Sequence, residues 1–319
     1  MRPGRIIFVL LFVFLAVFIG RTIFDYQHDL HQARIRISTG SRIARTPCGP
    51  IEYAVIGEEG PAVLVVHGAG GGFDQTLDFA RPFVDRGFRF VAMSRFGYLG
   101  TPLPADASAA AQADAHACLL DALGIERVAG IIGVSAGAPS AMQFAIRHPA
   151  RSARLILLVP LAYAPRSGGS SPPASSATRY LFGTALKYDF LYWLATKTMH
   201  RTLVEAILAT PPEVLEQATA DEQARAGSML DHILPVSVRR SGLLNDAKVA
   251  ETIARYDLEK ITIPTLAISI SDDLFGTYEA ARYTADQVPG ARFIGYPTGG
   301  HVWIGHNDEI LAEMIDFLK

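Results

Sequence analysis

The sequence predicts an α/β protein: a mostly parallel central sheet with helices on both faces and a helical lid inserted after the sixth strand. Three observations lead there. Apolar segments of strand length alternate with helix-patterned segments between residues 51 and 160, the pattern of crossovers between parallel strands. Residues 128–148 pass from a buried strand through a single sharp turn into a helix. Strand patterning then stops after Pro160 and resumes at Thr265, with helical patterning between.

Bulk properties narrow the class. The chain has 319 residues, half of them hydrophobic, which suits one large domain with or without an insertion. A formal net charge of −2 gives no electrostatic basis for nucleic-acid binding. Two cysteines, Cys48 and Cys118, exclude a disulfide framework and a Cys-rich zinc site. Cys118 reads as a core residue. A bridge between the two is possible, but the sequence does not argue for one.

Residues 1–24 form a hydrophobic anchor or signal segment. Ile6 to Ile19 is an unbroken apolar run behind Arg2 and Arg5. Gly20, Thr22, Ile23 and Phe24 extend it to spanning length if Arg21 snorkels. No small-residue cleavage site follows, so an uncleaved anchor is favoured over a secretory peptide. Arginines flank both ends and leave orientation open. A single N-terminal anchor most often keeps its N-terminus cytoplasmic, which puts the body in the periplasm or outside the cell; cleavage would make it secreted.

Residues 25–50 read as a juxtamembrane connection. Asp25, His28, Asp29 and His31 have helical spacing, and a solvated helix is the better reading than a metal site. Ala33 to Ser38 alternates with period two and reads as a strand, with Ile51 to Ile56 as its partner.

A core, residues 51–160, follows. Ala62 to Gly68 is a buried strand that ends in His67-Gly68-Ala69-Gly70-Gly71-Gly72. Residues 76–87 read as a helix, Phe88 to Ser94 as a strand, and Ala107 to Leu123 as an Ala-rich helix. Val128 to Ile132 is strand-like, and Gly133-Val134-Ser135-Ala136-Gly137 matches G-x-S-x-G. A strand that turns directly into a helix holds its turn residue in a strained conformation with the side chain free of its neighbours. The residues two before and two after must then be small, and both are glycine. Pro139 fits the first helical turn and Pro149 lies past the helix end. Arg154 to Val159 is the next strand.

Residues 161–262 read as the lid. A Pro/Ser/Gly-rich stretch, Ser167 to Ser176, leads into helices, and Tyr188, Phe190, Tyr192 and Trp193 cluster in one of them. These aromatics fit an acyl pocket and ordinary lid packing equally well. The second part of the core, residues 263–319, holds a strand at Thr265 to Ile270, a helix over 277–287, a strand at Arg292 to Tyr296, and a last helix that Asn307 could cap. No internal repeat is visible.

From about residue 50 onward the chain resembles the α/β-hydrolase superfamily. The likeness rests on His67-Gly68 with its glycine run, Gly133-Val134-Ser135-Ala136-Gly137, the aspartates after the Thr265–Ile270 strand, and Gly300-His301, in the family's order of nucleophile, acid and histidine. The resemblance implies Ser135 as nucleophile. His301 fits the base, because a serine hydroxyl needs one at neutral pH and imidazole can both take and return the proton. The acid is Asp273 if Ile270 occupies the family's glycine position, with Asp272 as a loop-capping neighbour. The resemblance also supplies backbone donors for an oxyanion at Ala69 and Ala136, with Gly70 as an alternative to Ala69. His67 is expected to be structural, and His116, His148, His200, His232 and His306 to be surface or core residues. The glycine run lacks the Gly-Lys-Ser/Thr of a phosphate loop.

These residues imply a serine hydrolase that acts on a carboxylic ester through an acyl-enzyme. The His-Gly-Ala-Gly-Gly-Gly run also resembles the loop of carbon–carbon bond hydrolases of ring-cleavage products. Acyl transfer to another acceptor and a non-catalytic, membrane-anchored binding protein are the remaining readings. Expected partners are a small acyl substrate, apolar if the aromatics line its pocket, and the membrane, but no nucleic acid. No metal or organic cofactor is implied, and oligomeric state leaves no signal.

Overall fold

In the computed structural model, residues 3–165 and 183–319 are described. The Ser167–Ser176 stretch and Tyr180 lie outside them. Eight strands form one sheet in the order β1-β2-β4-β3-β5-β6-β7-β8. They are β1 (Arg42–Thr46), β2 (Gly49–Ile56), β3 (Ala62–Val66), β4 (Arg89–Met93), β5 (Gly130–Val134), β6 (Leu155–Leu158), β7 (Thr265–Ile270) and β8 (Arg292–Tyr296). β1 and β2 are antiparallel additions at one edge, and every later pairing is parallel.

Burial explains the continuous apolar strands. Every residue of β3, β6 and β7 is buried. Successive side chains point to opposite faces. Leu64 and Val66 join one core with Phe144 of α5 (Ala138–Arg147) and Leu119 of α4 (Ala109–Ala122). Val63 and Val65 join the other, with Phe83, Phe90 and Met314 of the last helix (Asn307–Leu318). A sheet covered on both sides needs no polar face, so alternation disappears.

Near the N-terminus one expectation is corrected and one open question is answered. Residues 33–38 are not a strand: α1 is one helix from Pro3 to Ser38. Leu30 and Ala33 pack with Trp193 and Leu234, and Arg36 Nη2 donates to the carbonyl of Leu234 at 2.7 Å. Those distant partners hold the helix, and β2 pairs instead with Arg42–Thr46. Cys48 and Cys118 form a disulfide, with Cα atoms 6.2 Å apart, which ties the β1–β2 turn to α4.

Smaller differences lie further on. The helix expected over 76–87 is two short ones, α2 (Phe73–Asp78) and α3 (Arg81–Val84). Between β6 and β7 the described chain is helical: α6 (Asp189–Thr198), α7 (His200–Ala206), α8 (Pro212–Glu216), α9 (Ala220–Asp231) and α10 (Arg240–Glu251). α11 (Thr277–Gln287) matches its expected span. Asn307 does not cap the last helix. It is the first helical residue, and its Oδ1 accepts from Trp303 Nε1 at 3.3 Å.

Candidate active site

The turn after β5 has the strain its sequence requires. Ser135 has φ 49°, in the left-handed region. A Cβ on Gly133 would lie 2.7 Å from Ala141 Cβ, and one on Gly137 would lie 2.3 Å from the Val66 carbonyl oxygen. Both contacts are too short for any side chain, so the close packing of α5 on the sheet depends on the two glycines. The Leu161 amide, just past the end of β6, donates to the Ser135 carbonyl at 3.0 Å and pins the turn.

The structure brings Ser135, His301 and Asp273 together. His301 Nε2 lies 2.8 Å from Ser135 Oγ, and His301 Nδ1 lies 2.7 Å from Asp273 Oδ2. A carboxylate at Nδ1 holds the ring proton there, which leaves Nε2 to accept from the serine hydroxyl. Asp273 Oδ1 accepts from the Phe275 amide at 2.8 Å, and Thr277 Oγ1 donates to Oδ2. Asp273 and His301 are buried, while Ser135 is half-buried. Asp272 has a separate place: it accepts from the amides of Gly299 at 3.3 Å and Gly300 at 2.7 Å. It therefore shapes the loop that carries His301.

Sequence reasoning missed three contributors. Thr277 donates to Asp273 Oδ2, the oxygen that also faces His301, and has no motif. The Ala209 carbonyl accepts from both the Leu274 and His301 amides, at 2.9 and 3.3 Å. A Cβ on Gly300 would lie 2.4 Å from Thr210 Oγ1, so the histidine loop is packed against the helical insertion. Only the Gly299-Gly300 pair hinted at so close an approach.

The loop after β3 is fixed by buried polar groups. The Arg95 amide donates to His67 Nε2 at 3.0 Å, so Nδ1 carries the proton and donates to the Gly68 carbonyl at 2.7 Å. Burial, and then the Arg95 charge, hold the His67 pKa well below the usual range. A neutral, doubly bonded ring is structural, as expected. The Gly70 amide donates to Tyr98 Oη at 3.2 Å, and Tyr98 donates to Asp246 at 2.5 Å. Burial and Asp246 keep that phenol protonated. Arg95 grips the same carboxylate at 2.6 Å. Arg239 donates to the Gly71 carbonyl and pairs with Asp74 at 2.7 Å. The Gly70 amide and the Gly71 carbonyl are thus taken up by protein partners. Ala69 is exposed and lines the adjoining cavity, and Ala136 follows Ser135 in a short 3₁₀ turn before α5.

His116 lies under the elbow. Its Nε2 donates to Ser140 Oγ at 3.0 Å, and Ser140 donates to the Gly137 carbonyl. Burial chiefly, with Arg95 and His148, lowers its pKa to about 3. It is a neutral core histidine. Among the described residues no group of histidine, cysteine and carboxylate side chains is arranged to hold a metal. Asp25 pairs with Arg21, and Asp29 with Lys197.

A cavity of about 470 Å³ opens above Ser135 and His301. Leu186, Tyr192, Ile207, Ile233 and Val236 help to line it, and no Lys, Arg, Asp or Glu does so among the described residues. Trp193 is absent from this wall. It is 5% exposed, packs against Leu30 and Ala33 of α1, and donates Nε1 to Asp29 at 2.9 Å. Of the two readings of the aromatics, Tyr192 follows the pocket and Trp193 the packing.

A sheet of this order, with a left-handed serine at the end of β5 and a histidine and acid brought to it from later loops, defines the α/β hydrolase class. The family model described as alpha/beta hydrolase fold matches residues 61–305, and the chain belongs to that family. Over 278 residues it is 27% identical to 2-hydroxy-6-oxononadienedioate/2-hydroxy-6-oxononatrienedioate hydrolase 1 of Dechloromonas aromatica, covering 84% of this chain and 90% of that one. A Pseudomonas putida hydrolase named for the same substrates is 34% identical over 144 residues, 42% of this chain and 48% of its own length, so that match spans about half of the relative. Among solved structures, an alpha/beta hydrolase fold protein from Nakamurella multipartita superposes with a TM-score of 0.68 and 28% identity, covering 87% of this chain and 98% of its own.

Proposed function

We propose that the protein is a serine hydrolase of uncharged carboxylic esters with an apolar acyl part. The observation that carries this reading is the hydrogen-bonded chain Ser135–His301–Asp273 at the floor of a cavity without ionic lining. His301 takes the Ser135 proton as Oγ attacks the ester carbonyl, and Asp273 holds the imidazole and stabilises its cation. The amides of Ala69 and Ala136 stabilise the oxyanion. Tyr98 occupies the Gly70 amide, which favours Ala69 for this role. His301 returns the proton to the departing alcohol, and water then releases the acid by the reverse sequence.

The relatives' names favour a second reading, carbon–carbon bond hydrolysis of ring-cleavage products. The two relatives quoted above are named for dioates, which are dianions at neutral pH, and a Comamonas testosteroni relative is named for a phenylhexadienoate, a monoanion. Burying unpaired carboxylates costs several kcal/mol or more, and the described cavity lining offers no counter-charge. The ester reading therefore stands first.

We place residues 1–24 in a membrane as a single anchor. Ile7 to Phe24 rises about 27 Å at 1.5 Å per residue, close to the hydrocarbon thickness of a bilayer. The Cys48–Cys118 bridge supports a body on the oxidising, periplasmic or extracellular side.

A p-nitrophenyl ester panel from acetate to palmitate tests the function, run on residues 25–319 beside Ser135→Ala. Turnover that disappears in the variant, with the medium-to-long chains preferred, is the expected result. Inactivity on all esters, with Ser135 still labelled by a fluorophosphonate, would move the assignment to carbon–carbon substrates. Neither turnover nor labelling would leave a binding protein.

A further inference from the structure

We propose that the first turn of α6 and the apolar length of α1 form one bilayer-contacting surface, through which the cavity receives its substrate from the membrane as an uncharged long-chain lipid ester. The substrate half of this inference rests on the serine-hydrolase reading; the surface half rests on geometry alone.

α1 changes character within a few residues. Phe18 and Phe24 are 60% and 65% exposed among the described residues. At Tyr26 the helix meets protein, with ring centroids 5.2 Å from Phe190 and 5.5 Å from Trp193. Asp29 then binds Trp193 and Lys197, Leu30 and Ala33 are buried, and Arg36 donates to Asp74 and to the carbonyls that end α9. Because α1 is unbroken, Phe24 and Leu30 are separated by only about 9 Å of rise. A bilayer around the apolar length therefore ends at the height of α6.

The start of α6 is built for that position. Tyr188, Phe190 and Leu191 are 55%, 38% and 50% exposed, a cluster that water disfavours. Phe190 touches Tyr26, two residues past the anchor on the same helix, and Leu191, one residue on, lines the cavity. One helical turn thus joins the membrane segment to the mouth of the pocket. Exposed Lys187 and Lys197 flank it, and aromatic residues beside cations suit the headgroup level. An acyl chain can pass from the hydrocarbon along Leu191 towards Ser135 without crossing water.

The test uses the full chain in phosphatidylcholine vesicles. Both native cysteines are bridged, so a nitroxide on Tyr188→Cys labels one site, with Arg255→Cys as the control. The label at 188 should be relaxed more by oxygen dissolved in lipid than by an aqueous nickel chelate, and the label at 255 the reverse. An aqueous pattern at 188 overturns the surface, whatever the activity. In a second arm, Tyr188→Ser with Phe190→Ser should lower turnover of vesicle-held p-nitrophenyl palmitate about tenfold, the scale of one lost apolar contact, while soluble p-nitrophenyl acetate stays within about twofold. Unchanged turnover of the vesicle-held ester overturns the membrane route. Failure of the unaltered protein on both esters sinks the ester-hydrolase reading and the lipid-ester substrate with it, and the label pattern still decides the surface.

Discussion

Asp272 and Asp273 are neighbours in sequence with separate partners, and a pair of substitutions distinguishes them. Asp273 accepts from His301 Nδ1, Thr277 and the Phe275 amide. Asp273→Asn keeps the volume but lets an amide face Nδ1, which favours the wrong tautomer; kcat should fall about 10⁴-fold, as for triads generally. Among the described residues, Asp272 accepts from the Gly299 and Gly300 amides. Asp272→Asn keeps one acceptor oxygen, so kcat should fall no more than about tenfold, the worth of one weakened hydrogen bond. Steady-state kinetics on a soluble ester, with circular dichroism to confirm folding, makes the comparison; the opposite ranking would exchange the two roles. That Ser135 and His301 meet in the candidate site was legible in the sequence because glycines on fixed offsets mark both positions. The acid was less so, because Ile270, where the resemblance expects glycine, is simply the buried last residue of β7, and the turn from Ile270 to Asp273 carries no residue-level signature. Thr277 was not legible at all: a hydroxyl that completes a carboxylate's hydrogen bonds looks like any other residue at a helix start.

At the scale of elements, helix and strand type were largely readable, while the neighbours a helix faces were not. α6 makes the point. Its aromatics were visible, but which side of the helix they occupy depends on α1, whose contacts come from residues more than 150 positions away, as the Asp29–Trp193 bond shows. The same distance explains the misread Ala33–Ser38 segment. Its local alternation is strand-like, while its partners in the fold are the distant Asp74, Trp193, Leu234 and the carbonyls at the end of α9. Two positions on α6 give a direct check. Ala195 lines the cavity and Trp193 does not. Ala195→Phe should shift the preferred p-nitrophenyl ester to shorter chains, because added bulk in a packed site is not absorbed by movement. Trp193→Ala should leave the profile in place and destabilise the fold by about 3–5 kcal/mol, the usual cost of an aromatic truncated in a core. A chain-length shift from Trp193→Ala, read as kcat/KM across the series, would return that residue to the pocket wall.

For the whole molecule, the disulfide and the anchor address the same question from opposite ends of the structure. α1 is apolar enough to span a bilayer and near the N-terminus, features that an anchor and a signal sequence share. Its flanking arginines do not orient it. The Cys48–Cys118 bridge is what supports the proposed direction, since such bonds persist in oxidising compartments and are rare in the cytosol. The sequence could not supply it: two cysteines 70 residues apart carry no pairing signal, and only the fold of the β1–β2 turn onto α4 brings them together. Closing a loop of that length restricts the unfolded chain and should stabilise the body by about 2–4 kcal/mol. Protein precipitated directly from cells in acid, unfolded, and treated with a maleimide polymer should show no mass shift until a reductant is added. The same reductant should lower the urea midpoint of the purified body, and Cys48→Ala with Cys118→Ala should reproduce that lower midpoint without reductant. Two reactive thiols in chains taken straight from cells would place the body in the reducing compartment and reverse the orientation, whereas a bridged chain whose midpoint ignores reductant would separate location from stability and leave the bond as a marker of compartment alone.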